Sequence, residues 1–203
     1  LASGWDRFDH QSGAIKLWKA DGTLPRLLHT FTAQPFGVVS VAWSPDGSML
    51  ASACVGSIKL WKADGTLLRS VTFDTWALFS TVVWSPDGSL LAAAGVDEGN
   101  DSVKTVWLWK VDGTLLHTLT GFTYAHAPVD SIAWSPDGSM LAINGDQESG
   151  SHNAHHGTVA VFTADGTLLH LLGGHETIKS LAWSPDGSTL ALGPDIGSNN
   201  EGT

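Results

Sequence analysis

One hexapeptide, WSPDGS, occurs four times in this chain of 203 residues. Its copies begin at positions 43, 84, 134 and 183, so successive starts are 41, 50 and 49 residues apart. A period of this length indicates a repeat protein, in which each unit is one supersecondary structure that buries its apolar surface against its neighbours. The repeat limits the possible folds more strongly than any other feature of the sequence.

Each repeat contains four short apolar runs separated by turn signals, as in VVSVAW, MLASA, SIKLW and TLLRSV. β-Branched and aromatic residues alternate there with small or polar ones, which predicts β-strands. Pro45, Asp46 and Gly47 suit a tight turn between the first two strands, because proline fixes φ and glycine accepts a left-handed conformation. The ADG run at 63–65 predicts a second tight turn. Each repeat is therefore predicted to be a four-stranded antiparallel meander.

The period, the strands IKLW at 15–18 and 58–61, VWLW at 106–109, and the pair at 174–175 (Gly-His) resemble the WD-repeat β-propeller family. The resemblance covers nearly the whole chain and implies an all-β propeller of four-stranded blades. Lysine stands where the family has aspartate after the third-strand tryptophan, and Phe162 replaces one such tryptophan. The buried His-Ser-Asp-Trp network typical of the family is therefore incomplete, and we expect apolar packing to hold these blades together.

The blade material divides into four segments, an inner strand and an overhanging tail, at 1–37, 38–77, 78–127, 128–174, 175–189 and 190–203. The run LAS at 1–3 aligns with the second strand at 50–52, which predicts that a first strand for the opening blade comes from elsewhere. The resembled family usually closes with seven or eight blades, whereas this chain supplies four. We therefore expect a homodimer in which a second chain completes an eight-bladed ring. The alternative is that the sequence is part of a longer single-chain propeller.

The formal net charge of −10 argues against nucleic acid as a partner, because phosphate binding requires a basic surface. No apolar run approaches the ~18 residues of a membrane span, so no membrane association is predicted. The single cysteine, Cys54, allows a reducing compartment and lies in an apolar run. We expect a cytoplasmic protein with Cys54 in its core.

The two tight turns of every repeat have constant length, whereas the connections at the opposite strand ends differ. The sequence thus predicts one uniform face and one variable loop face, where binding residues usually lie. The predicted partner-binding residues are Trp5, Phe8, Phe36, Trp76, Phe79, Phe122, Tyr124 and His126. Acidic residues outnumber basic ones in these loops, which favours a basic or methylated peptide. The alternative for each aromatic residue is that it plugs a blade or a subunit contact.

The longest predicted loop contains a cluster of histidines, His152, His155 and His156, together with Asp146 and Glu148. These are ligand types that zinc or nickel accepts, although a solvated polar loop explains them equally well. No nucleophile elbow, P-loop, dinucleotide fingerprint or zincin motif occurs, so no catalytic residue and no cofactor is predicted.

A row of cationic residues follows the leucines of the fourth strands, at His29, Arg69, His117 and His170. We expect these side chains to protect the outer edges of the sheets from pairing with other sheets.

The sequence favours a noncatalytic scaffold that presents its loop face to a protein or peptide. Two alternatives remain open. One is a metal- or small-ligand-binding propeller, with hydrolysis among its activities, that uses the histidine-rich loop. The other is an engineered or truncated repeat protein with no evolved ligand, because fold alone does not establish function.

Overall fold

The secondary structure is β throughout the described part of the chain. The computed structural model describes residues 2–5, 13–19, 26–34, 37–72, 77–97, 103–120, 129, 131–148, 155–175 and 178–194. The strands found there are β1 (Ala2–Trp5), β2 (Gly13–Lys19), β3 (Arg26–Gln34), β4 (Ser40–Trp43), β5 (Met49–Cys54), β6 (Ser57–Lys62), β7 (Leu67–Thr72), β8 (Ala77–Trp84), β9 (Leu90–Asp97), β10 (Val103–Lys110), β11 (Leu115–Leu119), β12 (Ile132–Trp134), β13 (Met140–Glu148), β14 (His155–Thr163), β15 (Leu168–His175), β16 (Ile178–Trp183) and β17 (Leu190–Pro194). A search of these residues finds no helix long and apolar enough to cross a membrane.

The strands form five sheets in chain order. The first sheet is β1-β2-β3, the second β4 to β7, the third β8 to β11, the fourth β12 to β15 and the fifth β16-β17. Neighbouring strands are antiparallel, so each sheet is a meander. The prediction of an all-β fold with four-stranded antiparallel sheets is confirmed for the second, third and fourth sheets.

The sheets pack face to face, and in the second, third and fourth sheets the described side chains of the second and third strands are largely buried on both faces. This explains the small residues of the second strands: Ala51 and Ala53 in β5 are fully buried, as are Ala92 to Ala94 in β9. Large apolar side chains of the third strands fill the space between sheets. Leu108 of β10, for example, shares an apolar cluster with Ile143 of the fourth sheet. Burial on both faces is the main stabilising contribution that this arrangement offers.

The first strands lie side by side along the inner edges of the sheets. Strand β8 contacts β4 and β5, β12 contacts β8, and β16 contacts β12 and β13. Tryptophan side chains at the ends of these strands link successive sheets. The Trp84 indole N–H donates to the Ala42 carbonyl at 3.0 Å, and Trp183 donates to the Ala133 carbonyl at the same distance. The inner strands therefore follow one another around a common axis, as blades do.

Polar contacts inside the sheets differ from one repeat to the next. The Trp61 indole donates to the Ser52 hydroxyl at 2.9 Å in the second sheet. Ala93 and Ile143 stand at the position of Ser52 in the third and fourth sheets, where no such bond can form. Ala93 shares an apolar cluster with Trp109, and Ile143 shares one with Phe162. That apolar packing takes the place of the family network stays a prediction.

Asn144 provides a polar link between the fourth and fifth sheets. Its amide oxygen accepts a hydrogen bond from the backbone N–H of Ser131 at 2.8 Å, and its amide nitrogen donates to the Ile178 carbonyl at 2.5 Å. Cys54 is fully buried, as expected, and burial raises the pKa of its thiol.

Candidate functional site: the loop face

The WSPDGS turns adopt one structure in all four copies. In the first copy the Ser44 hydroxyl donates to the Asp46 carboxylate at 2.6 Å and accepts a hydrogen bond from the Met49 N–H at 2.9 Å. The Asp46 carboxylate also accepts from the Ser48 N–H at 3.0 Å. Gly47 has a φ of 70°, the left-handed conformation that the sequence predicts for it. The hexapeptide is thus a self-contained turn whose polar groups satisfy one another.

These hydrogen bonds stabilise the ionised form of the turn aspartates. The Ser44 hydroxyl, followed by the N–H and hydroxyl of Ser48, lowers the pKa of Asp46 to about 2. The pKa of each equivalent carboxyl is likewise lowered to about 2, at Asp87, Asp137 and Asp186. These negative charges serve the structure of the turns, so they are poor candidates for recognition of a partner.

Successive turns stack on one another at one end of the sheets. A β-carbon added to Gly88 would lie 3.5 Å from Cδ of Pro45 in the preceding sheet, and the same contact relates Gly138 to Pro86. The third strand also ends at this face, because Met49 at the start of β5 pairs with Lys62 at the end of β6. Both tight turns of a sheet therefore lie on one face, which we call the turn face.

All other connections leave the sheets at the opposite end, which we call the loop face. Four sheets have both a second and a third strand, and the connections between those strands are residues 6–12, 55–56, 98–102 and 149–154. Connections from one sheet to the next begin and end at the same face. The predicted separation of a uniform face from a variable face is confirmed by the strand ends.

Most of the predicted partner-binding residues lie outside the described residues: Phe8, Phe36, Trp76, Phe122, Tyr124 and His126. Trp5 is the last residue of β1 and pairs with Ala14, which places its backbone at the loop face. Their role in binding a partner stays a prediction.

The placement of Phe79 in a loop is wrong. Phe79 lies within β8 and is only 4% exposed. Its ring packs edge-on against Trp107, with 5.2 Å between the ring centroids, and against Trp109 at 6.4 Å. Phe79 is buried because packing its ring with the two tryptophans between the second and third sheets removes a large apolar surface from water. Its side chain is a plug between blades, the alternative that the sequence left open.

The placement of His155 and His156 in a loop also needs correction, because both lie in strand β14. The register pairs His155 with Glu148 and His156 with Gln147 at the end of the long β13–β14 hairpin. The additional residues of this repeat therefore lengthen the hairpin, so only 149–154 connect its strands. His152 belongs to that connection, outside the described residues. A search of the described side chains finds no group of three metal-ligating residues.

Two exposed apolar side chains at the loop face were not predicted. Val39, just before β4, is more than half exposed, and Leu78 in β8 is also exposed. Leu78 lies near the connection at 55–56, since Val55 forms a bridge with it. Val39 and Leu78 lie in continuous apolar runs of the sequence, VV at 38–39 and ALF at 77–79, so the pattern did not show that these side chains face solvent. Asp97 ends β9 opposite Ala77, the residue before Leu78.

Comparison with known protein families identifies a matching family model. The family model described as WD domain, G-beta repeat matches residues 25–62, 113–169 and 166–197, which together cover more than half of the chain. No curated protein is significantly similar to the sequence.

Proposed function

Because this chain belongs to the WD-repeat family, whose repeats generally mediate protein interactions, we propose that it is a noncatalytic scaffold that binds a basic peptide segment at its loop face. The observation that carries the proposal is the division between faces. In the three four-stranded sheets both tight turns lie on the turn face, while connections of unequal length leave the loop face. Loops that differ on a rigid scaffold are the usual location of binding residues.

The charge of the protein supports a cationic partner. The net charge is −10, and Asp97, Asp146 and Glu148 are at or near strand ends of the loop face. The predicted aromatic residues in the neighbouring connections add π-faces that attract cations. A basic segment, with or without methylated lysine, matches both features.

The test is direct binding of labelled peptides, measured by fluorescence anisotropy. The probes are a lysine-rich peptide, the same peptide with one trimethyllysine, and an acidic peptide of equal length. We expect the basic peptides to bind and the acidic peptide to fail. Joint replacement of Trp5, Trp76 and Tyr124 by alanine should weaken binding at least about tenfold, a loss of about 1.4 kcal/mol.

A matched control removes charge from the other face. The variant D64N/D112N/D165N changes three turn-face aspartates and leaves every loop residue intact. It should bind the basic peptides as the wild type does. Equal binding of acidic and basic peptides, or full binding by the aromatic triple variant, would contradict the proposal. Absence of any binding would favour the alternative of a repeat protein with no evolved ligand.

A second candidate function, metal binding, is favoured by the register of the β13–β14 hairpin. Antiparallel pairing brings Glu148 opposite His155, and residues directly opposite each other have β-carbons ~5 Å apart. Glutamate and histidine are residue types that zinc or nickel accepts, and His152 in the adjoining connection is a third candidate ligand. Zinc titration followed by calorimetry tests this. H155A should lose binding while H170A, on the outer strand, keeps it; absence of zinc binding by the wild type excludes the site.

We further propose that two chains close one ring of eight blades. The first sheet starts with a second-type strand, since Ala2 pairs with Leu17 as Ala51 pairs with Leu60. In the ring, β1 of a second copy takes the place on β16 that β17 holds here. Light scattering should give twice the chain mass of 21.4 kDa. A stable monomer would exclude the ring. A cytoplasmic location stays a prediction.

A further inference from the structure

Aspartate precedes glycine in both tight turns of the second, third and fourth sheets, and this dipeptide is open to a covalent change. The glycine nitrogen attacks Cγ of the protonated carboxyl, and its proton leaves with the carboxyl OH as water, so that a succinimide ring forms. Glycine favours this reaction because no side chain obstructs its nitrogen. Water then opens the ring at either carbonyl. One opening restores aspartate, and the other gives isoaspartate, in which the main chain runs through the former side chain.

The glycine nitrogen makes the same hydrogen bond in every described turn of this type. The Gly113 N–H, for example, donates to the Lys110 carbonyl at 2.9 Å, and the Gly166 N–H donates to the Thr163 carbonyl at 3.0 Å. The equivalent bond is present at Gly47, Gly65, Gly88, Gly138 and Gly187. Because the attacking nitrogen is held alike, a difference in reactivity between these turns must arise at the carboxyl group.

The hexapeptide turns hold their carboxylates with a hydroxyl that lies two residues before the aspartate. In the first copy Ser44 supplies this hydroxyl, and Ser48 adds its N–H and its own hydroxyl. The same bonds are present at Asp87, Asp137 and Asp186. Hydrogen bonds to a carboxylate stabilise its ionised form. An ionised carboxyl has no OH to release as water, so these turns resist ring closure.

The DGT turn of the fourth sheet is protected in the same way. The Thr163 hydroxyl, two residues before Asp165, donates to its carboxylate, and the Thr167 N–H donates to the same oxygen at 3.2 Å. Thr163 is the main cause of the lowered pKa of Asp165, and Thr167 is the next. This turn therefore combines a hydroxyl before the aspartate with a threonine after it.

The DGT turn of the third sheet has only the second of these residues. Lys110 stands where the fourth sheet has Thr163, so no hydroxyl precedes the aspartate. The Asp112 carboxylate accepts from the Thr114 N–H at 2.9 Å, and Thr114 is the main cause of its lowered pKa. Asp112 is also exposed, so water reaches it. The two DGT turns thus differ at one residue that contacts the reacting carboxyl.

The single Asn-Gly pair of the chain, at 144–145, is protected by its surroundings. Its ring closure would release ammonia in place of water. The Asn144 side chain is only 2% exposed, and both its amide oxygen and its amide nitrogen are hydrogen bonded. Gly145 lies within β13 and pairs with Thr158. Both amide hydrogen bonds would have to break before the ring could close, so we expect Asn144 to stay intact.

We propose that isoaspartate forms at Asp112 in the folded protein, because Lys110 replaces the hydroxyl residue that protects the carboxyl in the turn of the fourth sheet and in the hexapeptides. Asp64 follows Lys62 in the same way and accepts from the Thr66 N–H at 2.9 Å, so it is expected to convert as well. Asp21 also follows a lysine, but its turn lies outside the described residues.

Conversion at Asp112 changes a contact between two sheets. Isoaspartate adds one carbon to the main chain, so the Gly113 N–H loses the geometry of its bond to Lys110. A β-carbon added to Gly113 would lie 2.8 Å from Cδ of Arg69, which means that Arg69 of the second sheet packs over this turn. The modification should therefore loosen the second sheet against the third at the turn face. The loop face is at the opposite strand ends, so peptide binding should not change.

Peptide mapping of the folded protein after long incubation in neutral buffer tests the proposal. Mass spectrometry locates isoaspartate, and a protein-isoaspartate methyltransferase with its methyl donor measures the amount. Asp112 and Asp64 should exceed Asp165 and the hexapeptide aspartates by about tenfold or more, the factor that one hydrogen bond to a charged group contributes. Equal amounts at Asp112 and Asp165, or no isoaspartate at Asp112, would overturn the proposal.

Two reciprocal variants test the role of the hydroxyl. T163V removes the hydroxyl before Asp165 and should raise isoaspartate there, while Asp112 stays as in the wild type. K110T supplies a hydroxyl before Asp112 and should lower isoaspartate at that residue alone. Circular dichroism and thermal melting establish folding, and either folded variant suffices for the comparison. A folded variant that leaves both sites unchanged would show that the hydroxyl does not protect the carboxyl.

The same incubation in concentrated urea separates the turn from the local sequence. In the unfolded chain the hydrogen bonds are lost, so the aspartates of both kinds of turn should convert at similar rates. If Asp112 still exceeds Asp165 there by the same factor, the neighbouring residues in the sequence set the rates and the proposal is wrong. None of these outcomes bears on peptide binding or on the ring of eight blades.

Discussion

The indole N–H of Trp84 donates a hydrogen bond to the carbonyl oxygen of Ala42 in the preceding sheet, with 3.0 Å between the two atoms. Trp134 occupies the same position one sheet later and is buried to the same degree, but its indole nitrogen has no partner in the described part of the chain. The repeat therefore contains its own comparison between a bonded and an unbonded indole.

Replacing Trp84 and Trp134 in turn by phenylalanine should show how much the indole hydrogen bond contributes to stability. Both substitutions remove similar apolar volume, but only W84F also removes a hydrogen bond, which contributes about 1 kcal/mol to stability. W84F should therefore lower the free energy of unfolding by about 1 kcal/mol more than W134F. Urea denaturation measures both values. Equal losses would show that the indole contacts between sheets contribute nothing.

The turn aspartates predict a loss of stability in acid. Hydrogen bonds from Ser44 and Ser48 hold the pKa of Asp46 at about 2, below its ordinary 3.8, and the other three turns behave alike. A folded pKa below the unfolded value means that the contribution is present above about pH 4 and is lost as the pH falls through 2. The melting temperature should decline across that window.

The variant S44A gives this prediction an internal control. Ser44 is the largest cause of the lowered pKa of Asp46, while Ser85 has that role for Asp87. In S44A the pKa of Asp46 should rise toward 3.8, and that of Asp87 should stay at about 2. Titration of the carboxyl resonances by NMR measures both. A rise at both sites, or at neither, would contradict the local origin of the shift.

The Ser52–Trp61 hydrogen bond predicts a cost for S52A. The substitution leaves the buried Trp61 indole without its 2.9 Å acceptor, and an unsatisfied buried donor costs about 1–3 kcal/mol. Ser70, exposed on β7, provides the control, because surface substitutions usually change stability by less than about 0.5 kcal/mol. Chemical denaturation of S52A and S70A should differ accordingly; equal stability would show that the bond is dispensable.

Position 95, occupied by glycine, has no room for a side chain. A β-carbon there would meet the Leu78 carbonyl oxygen and would lie 2.9 Å from Cα of Phe79, so only backbone could move to relieve it. G95A should cost about 1–3 kcal/mol, typical of overpacking. Gly173 has open space around the corresponding site, so G173A should melt as the wild type does. A melting temperature unchanged in G95A would show that the β8–β9 pair can separate.

Much of the fold was predictable because the same pattern of strands and turns occurs four times in the sequence. The hexapeptide specifies its own turn, since Ser44, Asp46 and Gly47 satisfy their requirements within six residues. Of the two exceptions at the loop face, one arises from contacts distant in sequence and the other from pairing across a hairpin. Phe79, which the sequence places in a loop, lies in β8, where its ring packs against Trp107 and Trp109. His155 lies in β14, where it pairs with Glu148. The partners of Phe79 lie in a different strand of the sequence, and the apolar pattern does not show how far a hairpin continues its pairing.

The sequence by itself determined the structure of one repeat, namely its strands, its tight turns and their antiparallel order. These features depend on interactions between residues that are close along the chain. Only the tertiary structure decided how units meet. Leu119 is buried and Leu172 is exposed although both follow the same leucine-rich run, since burial depends on the sheet packed alongside. The interactions within a repeat recur in every copy, whereas the packing of a side chain against the next sheet depends on where its repeat lies in the fold.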